Sequence, residues 1–252
     1  MLHKAEFPVL EYDDERQALL GSGERRHELP SDRLVISFFA EAIDQLLQEG
    51  KIEPCRIIGG ENKLTVYRFL EDDVLLVHGA IGCPAMGGFL EVLYKLGVQK
   101  IMFCGGGGAV EKGIHVGKLF VVEGAIRDEG FSYQYAPPSR VIFANPDVRA
   151  KIRTYLEANS IPYAEGLCWT TDCLYRETPE RVARRREEGA KVVEMEQAGC
   201  IAVAQFRGMD YGAIIYGGDD VSGPKWNKRA EVSRQGIRYE LIGLCREIVK
   251  TL

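Results

Sequence analysis

Short apolar runs alternate with longer helix-like stretches along most of this chain. The alternation starts with a strand predicted at 34–38 and a helix at 39–48 that stops before Gly50. Regular alternation of this kind indicates an α/β fold, with a mixed, mostly parallel central sheet and helices on both of its faces. Further strands are predicted at 56–58, 64–69, 74–77, 100–104, 119–122, 163–167, 192–193 and 211–216, and further helices at 85–96, after Pro146, after Pro179, at 196–206 and from about Lys228 onward.

The length and composition of the chain fit one domain. Its 252 residues are 46% hydrophobic and 27% charged, as in ordinary globular proteins. No internal repeat, low-complexity tract or break in composition divides the sequence. We therefore predict a single domain over 1–252, in which 1–33 is a less regular N-terminal extension with an acidic stretch at 11–15.

The charge pattern argues against nucleic acid and membranes as partners. The formal net charge is -5, and the basic cluster at 181–186 is followed at once by Glu187 and Glu188, as on a solvated helix face. The N-terminus lacks an apolar leader, and every apolar run is interrupted before it reaches about 18 residues. We expect a cytoplasmic protein.

The cysteines and histidines show no pattern of a metal site. The seven cysteines are scattered, without a C-x-x-C pair, and the four histidines lack the spacing of metal ligands or of a catalytic triad. We therefore expect reduced thiols and no bound metal.

Two glutamates flank a methionine where a predicted strand runs into a helix, at Glu194-Met195-Glu196. Ligands of open α/β sheets bind at the carboxyl ends of strands, and residues two apart on an extended chain share a face. Both carboxylates would accept hydrogen bonds from a sugar diol, and the thioether of Met195 would pack against a ribose. Alternatively, Glu196 lies in the first turn of the helix and only complements its dipole.

Four consecutive glycines at 105–108 follow the strand predicted at 100–104. They do not fit G-x-G-x-x-G, because Val110 or Glu111 stands where the third glycine belongs, and they do not fit a P-loop. Such glycines let a backbone loop approach a ligand closely and direct amide hydrogens at it. A tight turn with close helix packing is the alternative.

Four segments together resemble the nucleoside phosphorylase superfamily, which includes purine nucleoside phosphorylases, uridine phosphorylases and related nucleosidases. They lie at 79–84, 103–110, 193–198 and 214–220, in the order of the family, and the resemblance extends from about Val74 to the C-terminus. It implies cleavage of the N-glycosidic bond of a nucleoside, with phosphorolysis of a purine nucleoside to free base and ribose 1-phosphate as the main expectation. A hydrolytic nucleosidase and a catalytically silent nucleoside- or base-binding protein are the alternatives.

The resemblance also assigns roles to residues. Asp219, or Asp220 if the alignment shifts by one, would assist the leaving base, although an aspartate here can also be a turn or cap residue. The uridine-type Gln-x-Arg pair is absent, because Thr178 and Glu180 stand in its place, and this favours purines. Ribose would be held by Glu194, Met195 and Glu196, and the base would contact Gly105, Gly106, Leu174 and Tyr175.

The resemblance further implies phosphate as a co-substrate, no other cofactor, and a homo-oligomer, either a dimer or a hexamer. Yet the family's phosphate-binding arginine and hydroxyl residue are replaced by Phe103 and Gly106, and the segment 38–42 lacks the usual Gly-Asp-Pro loop. A phosphate dianion needs guanidinium groups or several aimed donors. Either phosphate is not the acceptor or other residues supply the positive charge that binds it. The candidates for supplying this charge are Arg25, Arg26, Arg33 and Arg56. His3 is a weak candidate for the N-terminal histidine that hexameric members donate to a neighbouring ribose, with a disordered terminus as the alternative.

Overall fold

The computed structural model describes residues 1–20, 26–59 and 63–252, and ten strands of this part form one mixed sheet. A short antiparallel pair, β1 (Leu2–His3) and β2 (Tyr12–Asp13), lies in the N-terminal extension. The strands of the sheet are β3 (Arg33–Ser37), β4 (Ile52–Ile58), β5 (Leu64–Phe69), β6 (Leu75–His78), β7 (Lys100–Ala109), β8 (Leu119–Asp128), β9 (Val141–Phe143), β10 (Ala164–Thr171), β11 (Ala190–Glu194) and β12 (Asp210–Asp220). The helices are α1 (Ala40–Gln48), α2 (Cys83–Lys95), α3 (Pro146–Ala158), α4 (Pro179–Glu187), α5 (Gln197–Arg207) and α6 (Gln235–Val249).

The sheet is mixed, with an antiparallel edge formed by β4, β5 and β6 and an antiparallel pair of β8 and β12 near its centre. Its strand order is β11-β10-β8-β12-β7-β3-β6-β5-β4, with β9 beside β8. β7 pairs in parallel with β3 and β12, whereas β4, β5 and β6 pair antiparallel. The end of β11 also pairs with the end of β7, with Val193 opposite Gly108, so this part of the sheet closes on itself. The closure brings the carboxyl ends of β7, β11 and β12 together.

The hydrophobic core lies in two main layers, one on each face of the sheet. Successive strand residues point to opposite faces, so Leu34 and Ile36 of β3 pack in one layer and Val35 packs in the other. Helices α2 and α5 cover the first layer, and α1, α3 and α6 cover the second. The predicted mixed α/β architecture with helices on both faces is confirmed.

The glycine run is part of a strand, and its prediction as a loop is wrong. β7 continues to Ala109 and pairs in parallel with β12, with Gly106 opposite Tyr216 and Gly107 opposite Gly217. Glycine has a low intrinsic propensity for β-strands, but pairing with the neighbouring strands outweighs this low propensity here. A Cβ atom on Gly106 would lie 3.0 Å from the Tyr216 ring, so the absence of a side chain permits this close packing.

The last helix starts at Gln235, later than the predicted start near Lys228. The residues between β12 and α6 form a connection that is anchored near its start, where Asp220 pairs with Asn227 and Arg229 donates to Asp220. Helical periodicity does not report these contacts. In the described part of the chain, no helix has the length and apolar character needed to cross a membrane.

Candidate active site

Many of the predicted site residues line one cavity at the carboxyl ends of β7, β11 and β12. The cavity has a volume of about 570 Å³, a size typical of small-molecule sites. The predicted residues in its wall are Gly106, Leu174, Tyr175, Glu194, Met195 and Asp219. The other residues that line it are Gly107, Gly108, Glu177, Val193, Val221 and Trp226.

Glu194 holds the start of helix α5. One of its carboxylate oxygens accepts hydrogen bonds from the backbone amides of Glu196 and Gln197, at 2.6 and 2.7 Å. The other oxygen accepts a hydrogen bond from the Thr170 hydroxyl at 2.5 Å. Because the first amides of a helix have no partner within it, a carboxylate at this place both pairs them and complements the helix dipole. The helix-start role considered for Glu196 is therefore performed by Glu194.

Glu196 is directed to the start of the neighbouring helix α2. Its carboxylate accepts a hydrogen bond from the Gly82 amide at 2.8 Å, and the residue is only 7% exposed. Gly82 has a φ of 94°, which glycine adopts without strain. Although Glu194 and Met195 line the cavity, Glu196 is not among its lining residues. The structure thus connects the predicted ribose-binding group with the segment 79–84, which the resemblance had also singled out.

The two glutamates form a buried acidic pair. Burial raises the pKa of both carboxyl groups, and the charge of Glu196 raises the pKa of Glu194 further. Hydrogen bonds from Thr170 and from backbone amides act in the opposite direction. Such a pair can retain a proton and can then both donate to and accept from hydroxyl groups of a ligand.

Asp219 faces the cavity, whereas its neighbour Asp220 does not. The indole N–H of Trp226 donates to Asp219 at 2.6 Å. Asp220 accepts from the Ser222 amide at 2.8 Å and pairs with Arg229 at 2.7 Å. Burial opposes the ionisation of Asp220, but its contacts with Ser222 and Arg229 outweigh this effect and lower its pKa. The geometry therefore puts Asp219 in position to contact a ligand and makes Asp220 an anchor of the connection to α6.

Three exposed apolar side chains border the cavity. Leu174, Tyr175 and Trp226 are 47%, 92% and 64% exposed. Exposed apolar side chains that cluster together commonly mark a surface that contacts a ligand or a partner. Sequence reasoning missed Trp226, although an isolated tryptophan in a Gly- and Pro-containing segment shortly after Asp219 was a usable signal.

Glu177 is a cavity carboxylate that sequence reasoning also missed. It is half-buried and directly follows the 3₁₀ turn Leu174–Arg176. Burial, and after it the charge of Asp219, raises the pKa of Glu177 to about 7. Its position two residues after Tyr175 was the only sequence signal for it.

Aromatic rings occupy the positions where the resemblance places phosphate ligands. Phe103 is 2% exposed, and its ring centroid lies 5.0 Å from that of Phe38. A side chain on Gly106 would collide with Tyr216, so no hydroxyl residue fits there without movement of that ring. Gly105 packs against Phe103, and a Cβ atom placed on Gly105 would lie 2.7 Å from the Phe103 ring. Gly105 was predicted to contact the base, but it does not line the cavity.

The described arginines that were candidates for phosphate binding lie outside the cavity lining. Each of them pairs with a carboxylate, at 2.7 Å for Arg33, 2.8 Å for Arg56 and 3.8 Å for Arg26. Arg25 lies outside the described residues. His3 is exposed in the N-terminal hairpin and does not line the cavity. Within the described residues, the wall of the cavity contains no Lys, Arg or His.

Thr170 connects β10 to the start of α5, and we expect Thr170→Val to destabilise the protein. Its buried hydroxyl donates to Glu194 and accepts from the Ala198 amide at 3.0 Å. Valine has a similar shape but leaves the Ala198 amide and one oxygen of the Glu194 carboxylate without a partner, which costs roughly 1–3 kcal/mol of unfolding free energy. Urea denaturation would measure this loss. Thr154→Val on the exposed face of α3 is the matched control and should change stability by less than about 0.5 kcal/mol. An equal, small effect at both sites would contradict the prediction.

Comparison with known proteins places the chain in a family. The family model for the phosphorylase superfamily matches residues 32–237. A guanosine phosphorylase from Halorubrum lacusprofundi is 29% identical over 142 residues. That alignment covers 56% of this chain and 59% of the relative, so it spans less than two thirds of the related protein.

Solved structures share the fold. Purine nucleoside phosphorylase from Toxoplasma gondii, in complex with immucillin-H, has a TM-score of 0.73 at 18% identity, covering 94% of this chain and 99% of that one. AMP nucleosidase from Bacteroides thetaiotaomicron has a TM-score of 0.70 at 17% identity, covering 87% of this chain and 88% of that one. At these identities the structural similarity establishes the fold, and the family model, which includes all four segments at 79–84, 103–110, 193–198 and 214–220, establishes the family. The chain belongs to the phosphorylase superfamily.

Proposed function

We propose that the protein cleaves the N-glycosidic bond of a purine nucleoside. The observation that supports this most directly is that Asp219 lines the same cavity as Glu194 and Met195. A nucleoside bound there would place its ribose against Met195 and the acidic pair and its base near Asp219. The guanosine phosphorylase relative supports a purine as the base.

The chemistry of this bond suits the residues of the cavity. When the bond between the ribose and the base breaks, positive charge develops on the sugar and the base needs a proton or a hydrogen bond to leave. Asp219 would provide that assistance, and the negative charge of the acidic pair, of which Glu194 lines the cavity and Glu196 lies behind it, would stabilise the positively charged sugar. Exposed rings at Tyr175 and Trp226 would cover the base.

The charge of the cavity favours water as the acceptor of the ribosyl group. Glu177, Glu194 and Asp219 line the cavity, and none of its described lining residues is a cation. A phosphate dianion would lack the guanidinium or ammonium groups that normally bind it, and it would be repelled by each of these carboxyl groups that is ionised. Water carries no charge and needs only a hydrogen-bond acceptor.

Phosphorolysis is the second candidate, and the guanosine phosphorylase relative supports it. It would require cations from outside the described cavity lining, for example from a second subunit of a homo-oligomer. The two candidates share the cleaved bond and differ only in the acceptor.

We expect the protein to release free purine and ribose from a purine nucleoside in phosphate-free buffer, at a rate that added phosphate does not change. Chromatography of the base, together with separate assays for ribose and ribose 1-phosphate, measures this result. Release that strictly requires phosphate would contradict the water proposal and favour phosphorolysis. Binding without release of base would contradict catalysis and favour a nucleoside-binding protein.

A further inference from the structure

A second cavity lies at the start of α6, between the connection that precedes this helix and the first turn of α1. Its volume is about 400 Å³, within the usual range of small-molecule sites. Among the described residues, none lines both this cavity and the candidate active site. Its charge is also opposite to that of the active site, because the charged side chains of its wall are four cations and one carboxylate, namely Lys228, Arg229, Arg234, Arg238 and Glu41. We call it the basic pocket.

Two of the four cations are neutralised by carboxylates of the protein. Arg229 pairs with Asp220 at 2.7 Å. Arg238 pairs with Glu41 and also donates to the Tyr216 hydroxyl at 2.9 Å. These two arginines therefore build the wall of the basic pocket without adding uncompensated charge to it.

The other two cations have no acidic partner among the described residues. Lys228 is exposed, and its ammonium group forms no ion pair in this part of the chain. Arg234 donates to the backbone carbonyl of Lys228 at 2.5 Å, and its Nε is buried without a hydrogen-bond partner. A buried donor that lacks an acceptor costs free energy. An anion that reaches Arg234 and Lys228 would supply acceptors and neutralise both charges.

We propose that the basic pocket binds a phosphate group, either as inorganic phosphate or as the phosphate of a small phosphorylated ligand. A phosphate dianion matches the two uncompensated cations, since a guanidinium binds it with two parallel hydrogen bonds and an ammonium acts as a point charge. Ser233 and Gln235 lie in the same wall and offer uncharged donors. Helix α6 starts here without a side-chain cap, so its dipole also favours an anion.

The connection between β12 and α6 contributes to both cavities. Val221 and Trp226 line the candidate active site, and Lys228 and Arg234 line the basic pocket. A phosphate group in the basic pocket would hold the second half of this connection against α6 and so stabilise the folded protein. Because the two cavities have no described lining residue in common, the bound group is separate from the acceptor of the ribosyl group. The site goes beyond the proposed cleavage reaction and does not depend on it.

The test measures binding of inorganic phosphate, ribose 5-phosphate and ribose to the full chain by calorimetry and by thermal unfolding. We expect both phosphate compounds to bind and ribose not to bind. At about five times its Kd, phosphate should raise the melting temperature by about 2–4 °C, whereas sodium chloride at the same ionic strength should not. Arg234→Gln and Lys228→Gln should each weaken phosphate binding by roughly 10- to 100-fold, the usual effect of losing a charged hydrogen bond. Lys151→Gln on the exposed face of α3 makes the same change in charge and should bind like the wild type.

The two phosphate compounds distinguish the sources of the group. Binding of ribose 5-phosphate at least tenfold more tightly than inorganic phosphate would identify a phosphorylated ligand, and equal or weaker binding would identify free phosphate.

Three outcomes would overturn the assignment. The first is a thermal shift that sodium chloride reproduces, and the second is wild-type affinity for phosphate in Lys228→Gln, whose exposed side chain can be replaced without loss of the fold. The third is formation of ribose 1-phosphate from a nucleoside that is lost in both Arg234→Gln and Lys228→Gln, which would make the basic pocket the site of the acceptor. Melting temperatures measured without ligand show whether each variant is folded.

Discussion

Asp219→Asn should slow the cleavage of purine nucleosides by roughly 10²- to 10⁴-fold, the usual contribution of a positioned acid or base. The amide has nearly the same shape and can still accept the hydrogen bond from Trp226, so the connection after β12 should keep its position. It cannot give a proton to the departing base. A nitrophenyl riboside, whose leaving group departs without a proton, should be affected far less. Steady-state rates on both substrates would measure the difference.

The adjacent aspartate is the natural control. Asp220→Asn removes the charge that pairs with Arg229 but leaves the cavity lining unchanged, so it should affect stability more than turnover. If Asp219→Asn slows both substrates equally, Asp219 has a binding or structural role. If Asp220→Asn is the more damaging variant for purine nucleosides alone, the catalytic assignment moves to Asp220.

Glu196→Ala is expected to lower the turnover of ribonucleosides by one to two orders of magnitude. Losing a charged acceptor for the ribose hydroxyls costs roughly 1.5 to 3 kcal/mol. The structure adds a second consequence, because the Gly82 amide at the start of α2 loses its acceptor as well. Kinetics with a ribonucleoside and its 2′-deoxy analogue would measure the ribose contribution, which should be smaller for the analogue.

A second variant separates the two roles of Glu196. Glu196→Gln retains an oxygen that can accept from Gly82 but loses the charge, so it should fold like the wild type and still lose turnover. Glu187→Ala, on an exposed helix surface, should change neither property. Turnover at the wild-type level in a folded Glu196→Ala protein would contradict the ribose assignment.

The sequence predicts the fold well where hydrophobic periodicity is strong. Strand β3 and helix α1 lie within one residue of their predicted bounds, because each has an apolar pattern that only one type of element can bury. The sequence predicts the fold poorly where pairing with strands that are distant along the chain decides which element forms. The glycines at 105–108 carry no side chains that report a strand, yet β12 pairs with the first three of them and β11 pairs with Gly108.

The candidate site shows the same division. The sequence alone indicated that Glu194, Met195 and Asp219 follow apolar strands, since ligands collect where parallel strands end. It did not distinguish Glu194 from Glu196 as the residue that holds the start of α5. That distinction depends on which backbone amides each carboxylate reaches, and Glu196 reaches Gly82, more than a hundred residues away along the chain.

The sequence by itself determined the α/β class and the family and predicted where the candidate site lies, because these depend on local patterns and on motifs at strand ends. Only the tertiary structure decided which residues share the cavity. It brought Glu177 and Trp226 beside Asp219, excluded Gly105, and packed Phe38 against Phe103. The physical reason is that the closure of the sheet between β7 and β11 arises from pairing between strands that are far apart along the chain, which no local pattern encodes. The connection after β12 is held by the bridge between Asp220 and Asn227, which hydrophobic periodicity does not report.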